Sequence, residues 1–223
     1  LEKGSPESLP KLFDWLVDRK AWKALDNLAK RFSSVLEQQP LLLYRLAGAR
    51  LAQGQPEQAE EVVKRALSVQ PGEQRLHWTT ARELQRLGHF EWAEREYRQV
   101  ISQGPANNIY AFVSQSGLAE MFHDLERDKE AAQVLQEAVD ALEKNPQYRQ
   151  IVERQMMRQL PGIRSRLHFF QSKQLAAAGE FAKAQAELEK GLELDPTDAD
   201  VLIDLYRLPN QDETRKKKTL AAI

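Results

Sequence analysis

One spacing of small residues and prolines recurs along the chain. Residues 54–71 read GQPEQAEEVVKRALSVQP and residues 88–105 read GHFEWAEREYRQVISQGP, so that a glycine, an alanine five residues later and a proline seventeen residues later coincide. The two segments lie 34 residues apart, and residues 179–196 fit the same frame. A fixed period of this length indicates a repeat protein, in which each unit buries its apolar face only by packing on its neighbours.

Each repeat is predicted to be a pair of helices. The five predicted second helices carry alanine at one place, namely at Ala24, Ala59, Ala93, Ala131 and Ala184. Twelve residues before these alanines, the predicted first helices carry Leu12, Ala47, Ala81, Ala119 and Ser172. Small residues at fixed sites let two helices approach closely. The glycine suits a left-handed position at the end of the first helix, and the proline cannot continue the second.

The composition favours an all-α chain. Ala, Leu, Glu, Gln, Lys and Arg dominate it, all of them good helix formers, and no sustained alternation of apolar and polar residues predicts strands. The chain has 32 Lys and Arg against 33 Asp and Glu, so no net field draws it towards nucleic acid or a membrane. It has no cysteine, which excludes disulfides, cysteine-ligated metals and a thiol nucleophile.

The sequence does not assign a compartment. No apolar run approaches the ~20 residues that a membrane helix needs, and no signal peptide is recognisable, so we expect a soluble segment. The chain begins at Leu1 rather than Met, which we interpret as the start of a processed or excised segment. On this interpretation, a leader could have been removed. Cytoplasmic and periplasmic locations both stay open.

With these repeats, the chain resembles the tetratricopeptide repeat (TPR) family, whose unit is a 34-residue helix–turn–helix with small residues at fixed sites and a closing proline. The resemblance spans roughly residues 5–208. The chain departs from the family pattern at the early tryptophan, which is replaced by Leu43 and His77, and at the tyrosine of the first helix, which is replaced by Arg50 and Leu84. The resemblance implies a right-handed α-solenoid of about five TPR-like helix-turn-helix repeats with a C-terminal capping helix.

The repeat domain is predicted to cover residues 5–208. Its repeats are predicted at roughly 5–39, 40–73, 74–107, 108–146 and 165–198. Residues 147–164 interrupt the period, and we predict a helical extension that prolongs the following first helix at its N-terminal end, with a kink near Pro161. The plainer interpretation is a longer hairpin, and the alternative is a docking arm that uses Met156 and Met157. Residues 209–223 are predicted to form a C-terminal helix or tail, whose basic run Arg215–Lys218 is taken as solvated.

The sequence carries no recognisable catalytic or metal-binding motif. Its four histidines, His77, His89, His123 and His168, fall at different places along the chain, no two with the i, i+4 spacing of a helical metal site. The glycines come singly and form no phosphate-binding loop. We therefore expect no enzymatic activity, no metal and no small-molecule cofactor.

The first helices of a stacked array line a concave groove, which is the usual binding surface of this architecture. The residues predicted to line it are Tyr44, Arg45, Arg75, Trp78, Thr79, Arg82, Arg86, Phe169 and Lys173. Arginine beside Trp or Tyr is typical of interface hot spots, so one hypothesis is that the groove takes an extended or helical peptide with acidic residues. The alternative is that Trp78 and Phe169 pack between helices while the arginines pair with the chain's own glutamates.

The sequence therefore predicts a protein–protein interaction scaffold that binds a peptide segment of a partner whose identity stays unknown. A structural or self-associating spacer within a larger protein is the first alternative, which leaves a homo-oligomer open. An RNA-binding helical repeat is the third interpretation, and Glu120 and Asp124 weaken it because they interrupt the basic field of the groove. No nucleic acid and no membrane insertion are expected.

Overall fold

The computed structural model describes residues 8–105 and 108–209, and within these ranges it contains helices and turns but no strand. Its helices are α1 (Leu9–Asp18), α2 (Trp22–Arg31), α3 (Ser33–Leu36), α4 (Pro40–Ala52), α5 (Pro56–Leu67), α6 (Gln74–Arg86), α7 (Phe90–Ser102), α8 (Tyr110–Asp124), α9 (Asp128–Lys144), α10 (Pro146–Met156), α11 (Leu160–Ala177), α12 (Phe181–Leu194) and α13 (Ala199–Arg207). The chain is an all-α solenoid of helix–turn–helix repeats, as the period predicts.

The chain divides into two compact units, and the division falls between Ser102 and Gln103. In the first unit, α4 packs on α5 and α6 packs on α7, each pair joined by a short turn. α1 pairs with the short helix α2 and also contacts α4, while α4 contacts α6 and α5 contacts α7. First helices therefore pack beside first helices, so that α1, α4 and α6 form one row.

A residue with a positive φ follows the first helix of every hairpin and fixes the register of the second helix. These residues are Lys20, Gly54, Gly88, Glu126 and Gly179, with φ from 54° to 80°. Five residues later, the second helices bury Leu25, Ala59, Ala93, Ala131 and Ala184. Twelve residues before these, the first helices bury Phe13, Ala47, Ala81, Ala119 and Ser172. The predicted packing frame is thus confirmed in four of the five hairpins.

The first hairpin departs from its predicted register by one residue. Ala24 is exposed and Leu12 only half-buried, whereas Leu25 and Phe13 are fully buried. The turn explains the shift, because Lys20 adopts the left-handed conformation that glycine adopts in three of the later turns. The buried position of the second helix lies five residues after this left-handed residue, and in the first hairpin no glycine marks the left-handed residue in the sequence.

In the second unit, α8 packs on α9 and α11 packs on α12 in the same manner, while α9 also contacts α11. α10 contacts α9, and α13 packs on α12. Over residues 108–209, the unit therefore consists of two hairpins, one inserted helix between them and one further helix after the second hairpin.

The inserted helix corrects the prediction that residues 147–164 prolong the following helix. α10 ends at Met156, a turn covers residues 157–159, and α11 begins at Leu160. Pro161 therefore lies in the first turn of a new helix, where its missing N–H leaves no hydrogen bond unmade, instead of kinking a longer one.

Two residues of α10 anchor it in the second unit. Val152 is fully buried, and the hydroxyl of Tyr148 accepts a hydrogen bond from the backbone N–H of Phe112 at 2.9 Å. Burial raises the pKa of Tyr148, so its hydroxyl stays protonated. α10 is therefore a packed element of this unit.

Some predictions concern the ends of the chain. Of the predicted C-terminal helix 209–223, only Pro209 belongs to the described residues, and the basic run 215–218 lies outside them, as do residues 5–7 of the first predicted repeat. The last described helix, α13, follows Asp198, whose carboxylate accepts a hydrogen bond from the N–H of Val201 and so caps the helix. In the ranges that the structure describes, no helix has the length and apolarity to cross a membrane.

Candidate peptide-binding face

One side of α6 presents a basic stripe, which we call the α6 face: Arg75, Trp78, Thr79, Arg82 and Arg86. These residues share a side because they recur at intervals of three, four and seven along the helix. The opposite side of α6 is buried. On the α6 face the three arginines and Thr79 are exposed and Trp78 is half-buried. The guanidinium of Arg82 lies over the ring of Trp78, 5.0 Å from its centre.

The three arginines of the α6 face differ in their partners. Arg86 forms two hydrogen bonds with the carboxylate of Glu83, at 2.8 and 2.7 Å, and this contact raises the pKa of Arg86 and lowers that of Glu83. Among the described residues, neither Arg75 nor Arg82 forms an ion pair with a carboxylate. Two charges of the α6 face are therefore not compensated by the described part of the chain.

A matching set of residues lies on α11 in the second unit, and we call it the α11 face: Arg166, Phe169 and Lys173. Counted from the small buried residue of each first helix, Ala81 in α6 and Ser172 in α11, these residues occupy the same positions as Arg75, Trp78 and Arg82. They lie six and three residues before that residue and one residue after it. The two faces thus place a cation, an aromatic ring and a cation at equivalent sites.

Arg166 of the α11 face is enclosed by the chain's own carboxylates. Its Nε and Nη2 both donate to Glu120 at 2.9 Å, and its Nη1 donates to Asp200 at 2.8 Å. Its Nη1 also lies 3.9 Å from Oδ1 of Asp198, and the guanidinium lies 4.4 Å from the ring centre of Phe169. Burial disfavours the charged form, but Glu120 first and then Asp198 and Asp200 outweigh it and raise the pKa of Arg166.

The other cation of the α11 face is neutralised as well. The ammonium of Lys173 lies 3.0 Å from the carboxylate of Asp204 on α13. Phe169 between the two cations is only 3% exposed. Of the predicted groove residues, Phe169 is therefore a buried packing residue. Lys173 belongs to an internal ion pair, because α13 supplies its acidic partner.

Two of the surface recesses among the described residues bear on the predicted site, and they lie in different units. In the first unit a recess of about 340 Å³ lies between α1, α4 and the end of α6, with Arg45, Gly48 and His89 on its wall. In the second unit a recess of about 580 Å³ is lined by Met157, Leu194 and residues at the start of α11. Met157 is 74% exposed, so the docking-arm alternative stays a hypothesis with a surface to test.

Comparison with known proteins supplies the family. Models of the tetratricopeptide repeat match residues 41–73 and residues 79–146. The chain contains tetratricopeptide repeats. No curated protein sequence matches it.

Several solved structures have a similar fold. The MamA RS-1 ArsTM double mutant has 16% identity and a TM-score of 0.50, and the alignment covers 82% of this chain and 91% of that one. PilF of Pseudomonas aeruginosa has 20% identity and a TM-score of 0.46 over 82% of this chain and 71% of that one. YrrB, a TPR protein with an unusual peptide-binding site, has 17% identity and a TM-score of 0.47 over 87% and 89%. At these identities the similarity concerns the fold alone.

Family membership bears on the class of function. TPR repeats generally mediate protein–protein interactions, and proteins of this fold are typically scaffolds without enzymatic activity. Within residues 8–105 and 108–209, no three of the His, Asp and Glu side chains are grouped as a metal ion would require.

In the TPR frame, two predicted groove residues of α4 lie elsewhere than expected. Tyr44 is 2% exposed, and its hydroxyl donates to Glu96 Oε1 at 2.6 Å, so it belongs to the core. Arg45 is half-buried and donates from Nε to Asp14 on α1 at 3.0 Å. Of the nine predicted residues, those of the α6 face are the ones that the structure leaves on a surface together.

The sequence analysis missed a buried polar cluster in this TPR unit. Glu96, which is fully buried, accepts a hydrogen bond from the hydroxyl of Tyr44, and its other carboxylate oxygen lies 2.5 Å from Nδ1 of His77. Burial, reinforced by Glu96, raises the pKa of Tyr44, which stays neutral. Burial alone would lower the pKa of His77, but the hydrogen bond and the charge of Glu96 raise it. Through Glu96, the cluster links α7 to α4 and to α6 by hydrogen bonds.

The same histidine–carboxylate pair recurs in the last TPR hairpin, where His168 Nδ1 lies 2.6 Å from Glu187. In both hairpins the two residues are 19 apart, and each histidine precedes the small residue of its first helix by four. That recurrence is visible in the sequence and could have predicted the pair. His77 stands where the family usually has tryptophan, so the pair fills a packing site with a hydrogen-bonded polar contact.

Proposed function

We propose that this TPR chain is a protein-interaction scaffold whose α6 face binds an acidic segment of a partner protein. The observation that carries the proposal is the arrangement of Arg75, Trp78 and Arg82, where two cations without a carboxylate partner in the described residues flank an aromatic ring. Arg and Trp are enriched in interface hot spots because each offers a wide contact area together with hydrogen-bond donors. Thr79 and Arg86 extend the same surface.

The α11 face supports the assignment by contrast. It has equivalent residues, but Glu120, Asp200 and Asp204 already satisfy its cations. A partner with acidic groups would have to displace these internal contacts there, whereas at the α6 face it displaces only water. The α6 face is therefore the stronger candidate of the two.

A cross-linked pull-down from the source extract tests the proposal. The bait is the 223-residue chain, compared with Arg75→Glu/Arg82→Glu and with the matched control Arg95→Glu/Arg98→Glu, which changes the charge equally on exposed residues of α7. We expect a partner that the wild type and the control retain, that the α6 variant loses, and that moderate salt releases because the charges are exposed. A partner retained equally by all three would exclude the α6 face, and recovery of the bait alone would favour the self-associating spacer.

A further inference from the structure

The inserted helix α10 gives the second unit a surface that the repeats do not account for. One side of α10 carries Tyr148 and Val152, which are buried within the unit. Arg154 and Met157 lie one turn apart on the opposite side, because they follow Val152 by two and five residues. They line the recess of about 580 Å³ between α10, the start of α11 and the end of α12, which we call the α10 recess. This recess depends on the insertion and not on the 34-residue period.

Part of the α10 recess is apolar. Leu160, at the start of α11, is 6% exposed, whereas Leu194, at the end of α12, is 37% exposed and Met157 is 74% exposed. Exposed apolar side chains grouped in a concave surface are typical of binding sites, and the flexible thioether of Met adapts to different partners. The volume of the recess falls in the range of about 300–1,000 Å³ that is usual for binding pockets. The α10 recess therefore has the room and the lining to take a large apolar side chain.

The same recess carries two arginines without a carboxylate partner among the described residues. Arg154 is exposed on α10, and Arg164 is half-buried on α11, where its Nε is buried without a hydrogen-bond partner. The acidic residue of the recess is Glu153, which already pairs with Arg149 at 3.4 Å. A carboxylate bound in the recess would give each guanidinium a charge-assisted hydrogen bond. The charge of the recess therefore favours an acidic ligand.

We propose that the α10 recess is a second binding site of the chain, which takes a segment of a partner protein with one large apolar side chain between two carboxylates. The apolar side chain enters beside Met157 and Leu160, and the carboxylates pair with Arg154 and Arg164. A recess accepts a projecting side chain, whereas a flat lipid surface would reach the exposed Met157 but not the buried Leu160. This inference goes beyond the proposed function, because it holds whether or not the α6 face binds a partner.

Methionine methyl groups provide a reporter for the test. The chain has three methionines: Met121 is fully buried, Met156 is half-buried and Met157 is exposed in the recess. In the full 223-residue chain labelled with methyl-¹³C methionine, the Met157 signal follows binding and the Met121 signal is the internal reference. The probe is the peptide acetyl-Asp-Gly-Phe-Gly-Asp-amide, which places both carboxylates on the side of the Phe ring when it is extended. One control peptide replaces both Asp by Asn, and the other replaces Phe by Ser.

We expect the Asp/Phe peptide to shift the methyl signal of Met157 but not that of Met121. It should bind at least about tenfold more tightly than either control peptide, since losing the charge-assisted hydrogen bonds or the buried ring costs about a factor of ten or more. Arg154→Gln/Arg164→Gln should weaken its binding about tenfold. The matched control is Arg158→Gln, an exposed arginine that does not line the recess, which should change the affinity less than about twofold.

Several results with the peptides would overturn the proposal. If the Met157 signal did not move, the recess would not bind this kind of segment. Equal binding of the Phe and Ser peptides, or equal weakening by Arg158→Gln, would reduce the contact to diffuse charge attraction. Binding that is lost in Arg75→Gln/Arg82→Gln instead would transfer the peptide to the α6 face and leave the proposed function standing.

Other occupants of the α10 recess have their own signatures, and each of them would also overturn the proposal. Dimers that dissociate in Met157→Lys, observed by light scattering, would assign the recess to a second copy of the chain. A photo-cross-linker at position 157 that reacts with residues 210–223 of the same molecule would assign it to the chain's own C-terminal segment. A Met157 signal that responds to phosphatidylglycerol vesicles but not to the Asp/Phe peptide would assign it to a lipid surface.

Discussion

The α6 face and the α11 face carry the same kinds of side chain at the same repeat positions, yet only one of them presents its charges to solvent. In the second unit, Glu120 from α8 and Asp200 and Asp204 from α13 neutralise the two cations. In the first unit, the two corresponding arginines lie on an exposed surface without such partners among the described residues. In a helical repeat, the residues of neighbouring helices therefore decide whether a basic position is neutralised within the fold or presents its charge to solvent.

The energetics of the two faces should differ accordingly. Arg166 is mostly buried, and removing it leaves three carboxylates around an empty position. Arg75 is exposed, and its removal leaves no buried group without a partner in the described structure. The first arginine should contribute to the free energy of unfolding, and the second to the free energy of binding.

The largest effect that we expect comes from the same substitution at both sites. Arg166→Met should lower the free energy of unfolding by about 2–3 kcal/mol, because Glu120, Asp198 and Asp200 lose their cation. Arg75→Met should change it by less than about 0.5 kcal/mol, as exposed substitutions usually do. Urea unfolding followed by circular dichroism measures both values. Equal losses in the two variants would contradict the distinction between the faces.

A second experiment gives the α6 face the acidic residue that it lacks. Gly48→Glu places a carboxylate at the position that Glu120 occupies in the second unit, and should weaken the binding of an acidic partner segment to the α6 face about tenfold. Gly48 has an ordinary helical backbone, and a Cβ there would come no closer than 3.9 Å to Trp92, so the variant should fold. Replacement of a glycine inside a helix should also raise the stability by about 0.5–1 kcal/mol.

The control for this experiment is Gly48→Gln, which has a similar side chain without the charge. It should give the same increase in stability and leave the affinity for the acidic partner segment nearly unchanged. Pull-downs of the partner and urea unfolding on both variants separate the effect of charge from that of bulk. If Gly48→Gln weakened binding as much as Gly48→Glu, steric exclusion would replace neutralisation as the explanation.

Much of the fold could be predicted from the sequence, because a fixed period sets helix pairs and their buried positions. The register failed in the first hairpin, where Lys20 adopts the conformation that glycine marks elsewhere. The inserted helix α10 was missed because a proline inside an apolar pattern can equally begin a helix or kink one, and the sequence around Pro161 does not distinguish the two. Local sequence determined neither the register of the first hairpin nor the start of α11, because both depend on how the helices pack.

The candidate site could be predicted only in part. The positions of its cations followed from the period, but whether they are compensated depends on residues far along the chain. One signal was present: Asp200 follows Arg166 by 34 residues, which is one period, and so occupies the same position of the next helix. The partner Glu120 is 46 residues before Arg166, and the inserted helix obscured that relation.

The two histidine–carboxylate pairs allow a smaller effect to be tested. His77–Glu96 is fully buried, whereas His168–Glu187 at the same repeat positions is partly exposed. Glu96 raises the pKa of His77 above its usual 6.5, so the contribution of His77 to stability is complete below pH 6.5 and disappears as the pH rises through the folded-state pKa. Each unit of that increase corresponds to about 1.4 kcal/mol.

We therefore expect the free energy of unfolding to decrease as the pH rises above about 6.5, and this slope to vanish in His77→Asn. The control is His168→Asn, in which the wild-type slope should persist. Urea titrations at half-unit pH intervals provide the measurement. A wild-type slope that survives in His77→Asn would exclude the buried cluster as its source.

The smallest effect concerns the outer cation of each face. Lys173 and Asp204 are partly exposed, so their ion pair should stabilise α13 by only about 0.5 kcal/mol after solvent screening. Lys173→Gln should lower the stability by that amount, and the loss should shrink at high salt because screening already weakens the pair. Arg82→Gln should have no measurable effect on stability but should weaken the binding of an acidic partner segment about tenfold. Hydrogen exchange of the α13 amides resolves so small a change, because a weakened contact opens that helix locally before the whole chain unfolds. If α13 exchanged at the same rate in Lys173→Gln and in the wild type, the packing of its apolar side alone would stabilise it, and the ion pair with Lys173 would contribute nothing measurable.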